Sequence, residues 1–368
     1  MRFYLTVMKT LILLSLLPIF LLSPFTSCFS EDNYNIGIIT ELSGPFAANG
    51  EDCKIGHASA MTAYTEKGLI NKKKVNLLYG DSRGEGKTGI NELNKLLSGN
   101  ELLAVLVNRS QVAMPINSIS KSKKISLVGV AGHPDFVESN PYAFRLFPSA
   151  KYESQAIIRV LTELKVKSIA VISLEDEYLS ALKNNVLSDF KSTGGKVLYE
   201  DSVIEGESDF TSIASKIAQA NAEAVFVNLG LSQTGIMIKK LREQKVKSPL
   251  FSNFWVQKKE VIDAAGKENI EGTFFIGVSN QLPGFAKILK SIRADLKPSG
   301  VTYSCHAALG FVLQALNGNK GIDNKESLYQ ELLQLKEFHL IDETIGIENR
   351  EAVFKFSKFV IKNGEVDS

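Results

Sequence analysis

Ile36-Gly37-Ile38-Ile39-Thr40-Glu41-Leu42-Ser43-Gly44-Pro45 runs from a β-branched stretch straight into a Ser-Gly-Pro turn. A segment of helical period follows, then Gly68-Leu69-Ile70-Asn71, then a second apolar run from Val75 to Tyr79 that ends at Asp81. A short buried strand, a turn, a helix and a second strand form the β-α-β unit from which parallel sheets are built. Ile55, Ala58 and Met61 are the expected inward face of the first helix.

The same alternation continues outward from this unit. Strands are expected at Leu102–Val107, Ile125–Ala131, Ser168–Ser173, Lys196–Ile204, Ala224–Asn228 and Pro249–Asn253. Helices are expected at Tyr152–Leu164, Tyr178–Phe190, Phe210–Ala220 and Thr234–Gln244. The pattern predicts an α/β protein with parallel sheets covered by helices on both faces and right-handed crossovers. A strand ending in Pro148, followed by a new helix, marks the boundary of a first lobe near Phe144–Ala150. Phe354–Ile361 alternates and reads as a late strand that makes a further crossing between lobes.

The 368 residues suit two domains, and a chain that is 44% apolar and 22% charged can bury a large core. Residues 1–27 read as a secretory signal. Arg2 and Lys9 precede the apolar run Thr10–Leu22, which is shorter than the roughly 20 residues needed to span a bilayer. Phe25-Thr26-Ser27 before Cys28 resemble a lipoprotein cleavage site, so Cys28 is the expected lipid-attachment point. Removing residues 1–27 takes the net charge of +2 to zero, which leaves no basic field for nucleic acid or anionic lipid. The body keeps Cys53 and Cys305, expected as free buried thiols, although an exported protein permits their pairing.

Several motifs imitate catalytic ones. Gly84-Glu85-Gly86-Lys87-Thr88 lacks the first glycine of a phosphate loop, because Asp81 occupies that position. Gly230-Leu231-Ser232-Gln233-Thr234-Gly235 resembles a nucleophile elbow with its second glycine displaced by one. His57, His133, His306 and His339 are scattered singly, with neither triad nor metal-ligand spacing. Glu175 and Asp176 read as solvated residues at a loop tip. The sequence therefore predicts no catalytic residues, no metal and no cofactor.

Leu42-Ser43-Gly44-Pro45, Gly68-Leu69-Ile70-Asn71, Phe144-Arg145 with Pro148-Ser149 and Gln155-Ala156, Asp176 with Tyr178, Gly194-Gly195, Asp209-Phe210 and Glu271-Gly272 occur in an order that resembles one family. The chain is similar to type I periplasmic solute-binding proteins of the branched-chain amino-acid group, the substrate-binding subunits of ABC transporters. The resemblance runs from about Tyr34 to Leu316. It implies two Rossmann-like lobes with parallel sheets, joined by a three-segment hinge. Lobe 1 would be 34–149 with about 277–350, and lobe 2 would be 150–276 with about 351–368, behind a signal peptide at 1–27 and an anchor linker at 28–33.

In open α/β sheets, ligands sit beyond the carboxyl ends of the strands, where helix N-termini suit anions. Ser43–Gly50, Asn108–Gln111, Val130–His133, Glu175–Tyr178, Gly230–Ser232 and Asn253–Trp255 meet that condition. The resemblance implies that Ser110 holds a ligand carboxylate, that Val130 binds through its carbonyl, and that Tyr178 covers the ligand. Arg109 is placed to add a second carboxylate contact. At four positions the chain departs from the family. Gly132 replaces a threonine that grips the head group, Phe254 replaces an acid that pairs with the ligand ammonium, and Gly230 and Asn49 replace aromatics. Phe254 and Trp255 are positioned to stack on an apolar or aromatic acid.

The function implied is capture of a small polar ligand, an amino acid or related carboxylate, for ABC permease subunits, with the membrane reached through a lipid anchor on Cys28. A ligand sensor acting on a signalling partner is the second reading, and a hydrolase at Ser232 the third.

Overall fold

The computed structural model describes residues 33–278 and 282–367. The signal segment 1–27, the linker 28–33 except Asn33, and the lipidation site Cys28 lie outside the described residues. Among the described residues, two sheets carry the architecture. The first has Ala143–Arg145, Ser126–Val130, Ala104–Asn108, Tyr34–Thr40 and Lys73–Asp81 as its parallel core. The second has Phe274–Val278, Leu250–Ser252, Ala224–Asn228, Ser168–Leu174 and Lys196–Val203 in parallel. Central strands such as Ala104–Asn108 and Ala224–Asn228 are buried along their whole length, as strands covered on both faces must be. Antiparallel strands close the edges, among them Thr344–Glu348 on the first sheet and Phe356–Lys362 on the second.

The chain passes between the sheets three times. It leaves the first after Arg145, returns from the second after Val278, and leaves again between Val353 and Phe356. The strand Glu351–Val353 pairs with Arg145 in the first sheet, so the last passage falls a few residues beyond the position near 350 expected from the sequence.

The inward face of the helix Ala47–Tyr64 is the expected one only in part, since Ile55 and Met61 pack against the core but Ala58 does not. Ala58 is exposed and Ile55 and Met61 only half-buried, whereas Cys53, Gly56, His57, Ser59 and Ala60 are buried. The cause is the close crossing with the helix Gly300–Gly318, where a Cβ on Gly56 would stand 2.4 Å from the Thr302 carbonyl oxygen. Only small residues permit that approach. The same crossing brings the Cα atoms of Cys53 and Cys305 to 5.1 Å, and the two cysteines form a disulfide, not the free thiols expected. His57 lies with them within 4.8 Å, but the sulfurs are bonded to each other and are not thiolate ligands.

Candidate functional site

The carboxyl ends of both parallel sheets face each other across the passages, and the loops there build one site. On the first half, the strand Ala104–Asn108 ends at Arg109, whose φ of +68° is uncommon outside glycine. This turn lets the Arg109 N–H donate to the Val130 carbonyl at 3.0 Å and starts the helix Ser110–Lys123 at Ser110. Ser110 Oγ accepts the His133 N–H at 3.1 Å. The loop that follows Val130 is pinned from below by Arg145, whose guanidinium donates to the carbonyls of Gly132, His133 and Pro134 and to Glu351. Burial lowers the pKa of Arg145, but its four acceptors keep the charge compensated.

Beneath this wall lies Glu41, the residue after the opening strand. Asn108 Nδ2 donates to Oε1 at 2.7 Å and Thr40 to Oε2 at 3.1 Å. Burial pushes the Glu41 carboxyl up to about 7, against the pull of Arg109. The Ser43-Gly44-Pro45 turn is exposed and held at its base, where Leu42 N–H, Ser43 N–H and Ser43 Oγ all donate to Asp81. Those bonds outweigh desolvation and hold Asp81 below its ordinary value. The turn itself does not reach the site; Asn49, further along the same segment, does.

The second half answers with aromatic rings and acids. Asp176 is buried, contrary to the solvated tip expected: Oδ1 caps the helix Glu177–Ser192 at Tyr178 and Leu179, and Oδ2 pairs with Arg109 at 2.9 Å across the cleft. Arg109 also lies over the Phe46 ring, 3.3 Å from its centroid. Asp52–Lys258 at 2.5 Å also spans the halves, and His133 Nε2 lies 3.6 Å from Glu177 Oε2. Tyr178 leans into the first half, where a Cβ on Gly132 would stand 2.5 Å from its ring. Glycine at position 132 leaves the space that the tyrosine ring occupies. Phe147, Tyr178 and Phe254 pack as a triangle with centroids 5.6–6.1 Å apart, and Trp255 adjoins Phe254 at 5.4 Å.

Asn49, Arg109, Ser110, Val130, Gly132, Tyr178, Phe254 and Trp255 line one small cavity of about 40 Å³. Gly230 is not among its lining residues. It caps the helix Leu231–Glu243 and faces Leu174. Ser232, in the first turn of that helix, is exposed, and among the described residues no histidine bonds to it. Asn108, Ala131 and Asp176, from the segments expected at the strand ends, also line the cavity, together with Phe147 and Val301, which were not anticipated. Its volume is close to one water's share of liquid, about 30 Å³. Phe147 and Phe254 separate it from a larger cavity of about 870 Å³. Four buried polar atoms without a protein partner belong to residues at this junction: Asn49 Oδ1, Arg109 Nη1, Trp255 Nε1 and Glu153 Oε1. Buried polar groups are rarely left unpaired, so these four atoms single out the junction as the candidate site.

Two α/β halves, three passages and a polar junction between them are the architecture of a solute-binding protein. The family model described as periplasmic binding protein matches residues 33–353, and the chain belongs to that family. Membership implies an extracytoplasmic location, and the buried disulfide suits an oxidising compartment. A Leu/Ile/Val-binding protein homologue of Brucella melitensis is 24% identical over 303 residues, covering 81% of this chain and 82% of that protein. The fold is shared with the branched-chain amino acid transporter substrate-binding protein of Streptococcus pneumoniae, solved with isoleucine (TM-score 0.82, 17% identity, 91% of this chain and 98% of that one). It is also shared with a solute-binding protein of an ABC transporter from Rhodopseudomonas palustris, solved with 3,4-dihydroxybenzoic acid (TM-score 0.81, 16% identity, 91% and 95%).

Proposed function

We propose that this chain captures an amino acid or related small carboxylate between its halves and delivers it to the membrane subunits of an ABC importer. The observation that carries the reading is the convergence of Ser110, at a helix N-terminus, with the unpartnered Arg109 Nη1 on one wall of the junction. First-turn N–H groups and a guanidinium are suited to a carboxylate. The ligands named for the relatives, branched-chain amino acids and an aromatic acid, are both carboxylates.

The halves act as lobes, 34–149 with about 277–350 and 150–276 with about 351–368, except that Glu351–Val353 stays with the first sheet. A 40 Å³ cavity is too small for a molecule of amino-acid size, so entry requires the lobes to part and the Arg109–Asp176 and Asp52–Lys258 pairs to open. Hinge closure on ligand is then stabilised only by the contacts that the closed form adds. Cys28 carries the lipid anchor that keeps the protein at the membrane beside its transporter. An aromatic carboxylate is the second ligand class, favoured by the Phe147–Tyr178–Phe254 triangle.

Calorimetric titration of residues 28–368 with amino acids, aromatic acids and short amides tests the reading. Saturable one-to-one binding of a carboxylate-bearing ligand is expected, and silence across the panel would remove it.

A further inference from the structure

Lysines crowd the end of the first half that lies away from the cleft. The strands Ser126–Val130, Ala104–Asn108, Tyr34–Thr40 and Lys73–Asp81 are parallel, so their first residues share one face. Tyr34 opens the strand in the middle of that face. Its hydroxyl donates to the Ile322 carbonyl at 3.4 Å, and the Lys73 ammonium lies 5.2 Å from its ring centroid. Asn71 Nδ2 donates to the Leu316 carbonyl at 2.8 Å and Lys325 Nζ to the Lys123 carbonyl at 2.7 Å. These bonds bring the end of the helix Gly300–Gly318 and the start of the helix Lys325–Gln334 to the same face. Lys72, Lys74, Lys123, Lys124, Lys320 and Lys325 are exposed there, against Glu101, Asp323 and Glu326, while Glu66 and Lys67 at the rim offset each other. Among the described residues none of these six lysines is held in an ion pair.

Lys121 and Lys123 lie in the last turn of the helix Ser110–Lys123, where the helix dipole favours cations. Lys72 and Lys74 sit on a turn and a strand, where no dipole calls for them. The neutral total of the chain without residues 1–27 therefore conceals a local basic face. Its field reaches about 8 Å at physiological ionic strength, so it acts on a surface that comes close. Cys28 precedes Tyr34 by six residues, a length of chain that reaches about 20 Å at most. Acyl anchors hold more firmly when a basic patch adds a second contact, and lysines near anionic headgroups supply one. We propose that this face rests on an anionic phospholipid bilayer. The strands run from it toward the cleft, so the cleft stays clear of the headgroups and the second half stays free to part from the first. The choice of surface rests on the anchor included in the proposed function. The matching face of the second half carries Lys165, Lys167, Lys245 and Lys247, but the chain does not enter the fold there, and it serves as the control.

The test couples residues 28–368 through the Cys28 thiol to maleimide lipid in vesicles, the other two cysteines being joined in the disulfide. The coupling supplies the anchor, so the outcome does not depend on acylation in the cell. Lysine acetylation is then followed by mass spectrometry on vesicles of phosphatidylglycerol with phosphatidylcholine and on phosphatidylcholine alone. Lys72, Lys74 and Lys124 should react several-fold more slowly on the anionic vesicles, and high salt should remove the difference. Lys165, Lys167 and Lys245 should react equally on both. Lys123→Glu combined with Lys325→Glu should restore the reactivity of Lys72 and Lys74. Equal rates on the two vesicles, or slowing of both sets of lysines alike, overturns the proposal. Should the double variant fail to fold, the wild-type pattern decides by itself. Calorimetry on the same chain reads ligand capture separately: silence there removes capture and leaves the basic face standing, and an unprotected face leaves capture standing.

Discussion

The two walls of the cleft are built from different materials. The first is main chain and paired polar groups: the Ser110 helix start, the Val130–His133 loop, Arg145 beneath it and Glu41 with donors on both carboxyl oxygens. The second is three rings and a carboxyl that keeps one oxygen unpaired. Glu41 and Glu153 make the contrast sharp, because burial raises both to about 7 although their partners differ. Each wall nevertheless keeps unpaired buried atoms, Asn49 Oδ1 and Arg109 Nη1 on the first and Trp255 Nε1 and Glu153 Oε1 on the second.

The largest expected effect breaks the first wall. Arg145→Ala strips donors from three loop carbonyls and leaves Glu351 without its partner, and should cost about 3–5 kcal/mol in urea unfolding. A loss below 1 kcal/mol would mean that the loop holds itself.

Titration sharpens the contrast next. In the folded chain Glu41 and Glu153 keep their protons to about pH 7, whereas unfolded glutamates release theirs near 4.3. Between those values the native state binds more protons, so stability is greatest at the acid end and falls as pH rises to about 7. Each carboxyl removes on the order of 3 kcal/mol across that window. Unfolding midpoints at pH 5 and pH 8 should converge in Glu41→Gln and in Glu153→Gln, each by about half of the shared slope. An unchanged slope in either variant would show that its carboxyl titrates normally.

Ser110→Ala should weaken the tightest carboxylate ligand by about 1–3 kcal/mol in calorimetry with little change in stability. Unchanged affinity would remove Ser110 from the site. The smallest energetic effect belongs to Gly132→Thr. Its Cβ would meet the Tyr178 ring at 2.5 Å, and the halves are expected to part rather than absorb the strain, so unfolding shifts by about 1 kcal/mol or less. Small-angle scattering should then show a larger radius of gyration, restored by adding Tyr178→Ala. An unchanged radius would mean that the ring simply rotates away.

Much of this was legible in the sequence, for identifiable reasons. Buried parallel strands such as Ala104–Asn108 announce themselves as short apolar runs, and the loops at their carboxyl ends follow from the fold. That rule gives the segments that hold Ser110, Val130, Gly132 and Tyr178, while the four residues themselves follow from the family resemblance. Pairings between distant segments leave no such trace. Asp176 reads as a solvated tip until Arg109 is placed opposite it, and Cys53 and Cys305 read as separate thiols until Gly56 draws their helices together. Glu153 sits within a helix where a glutamate ordinarily faces water, and only the packing of Tyr178 and Phe254 shows that it does not. Gly230 does start a helix at the end of a strand, but it is not among the residues that line the small cavity.

The most direct measurement is a crystal structure of residues 28–368 with the tightest-binding amino acid of the calorimetric panel. A ligand lying between the walls with its carboxylate bonded at Ser110 is the predicted result. A ligand that touches only one half, or whose carboxylate lies away from Ser110 in a closed cleft, would contradict the account.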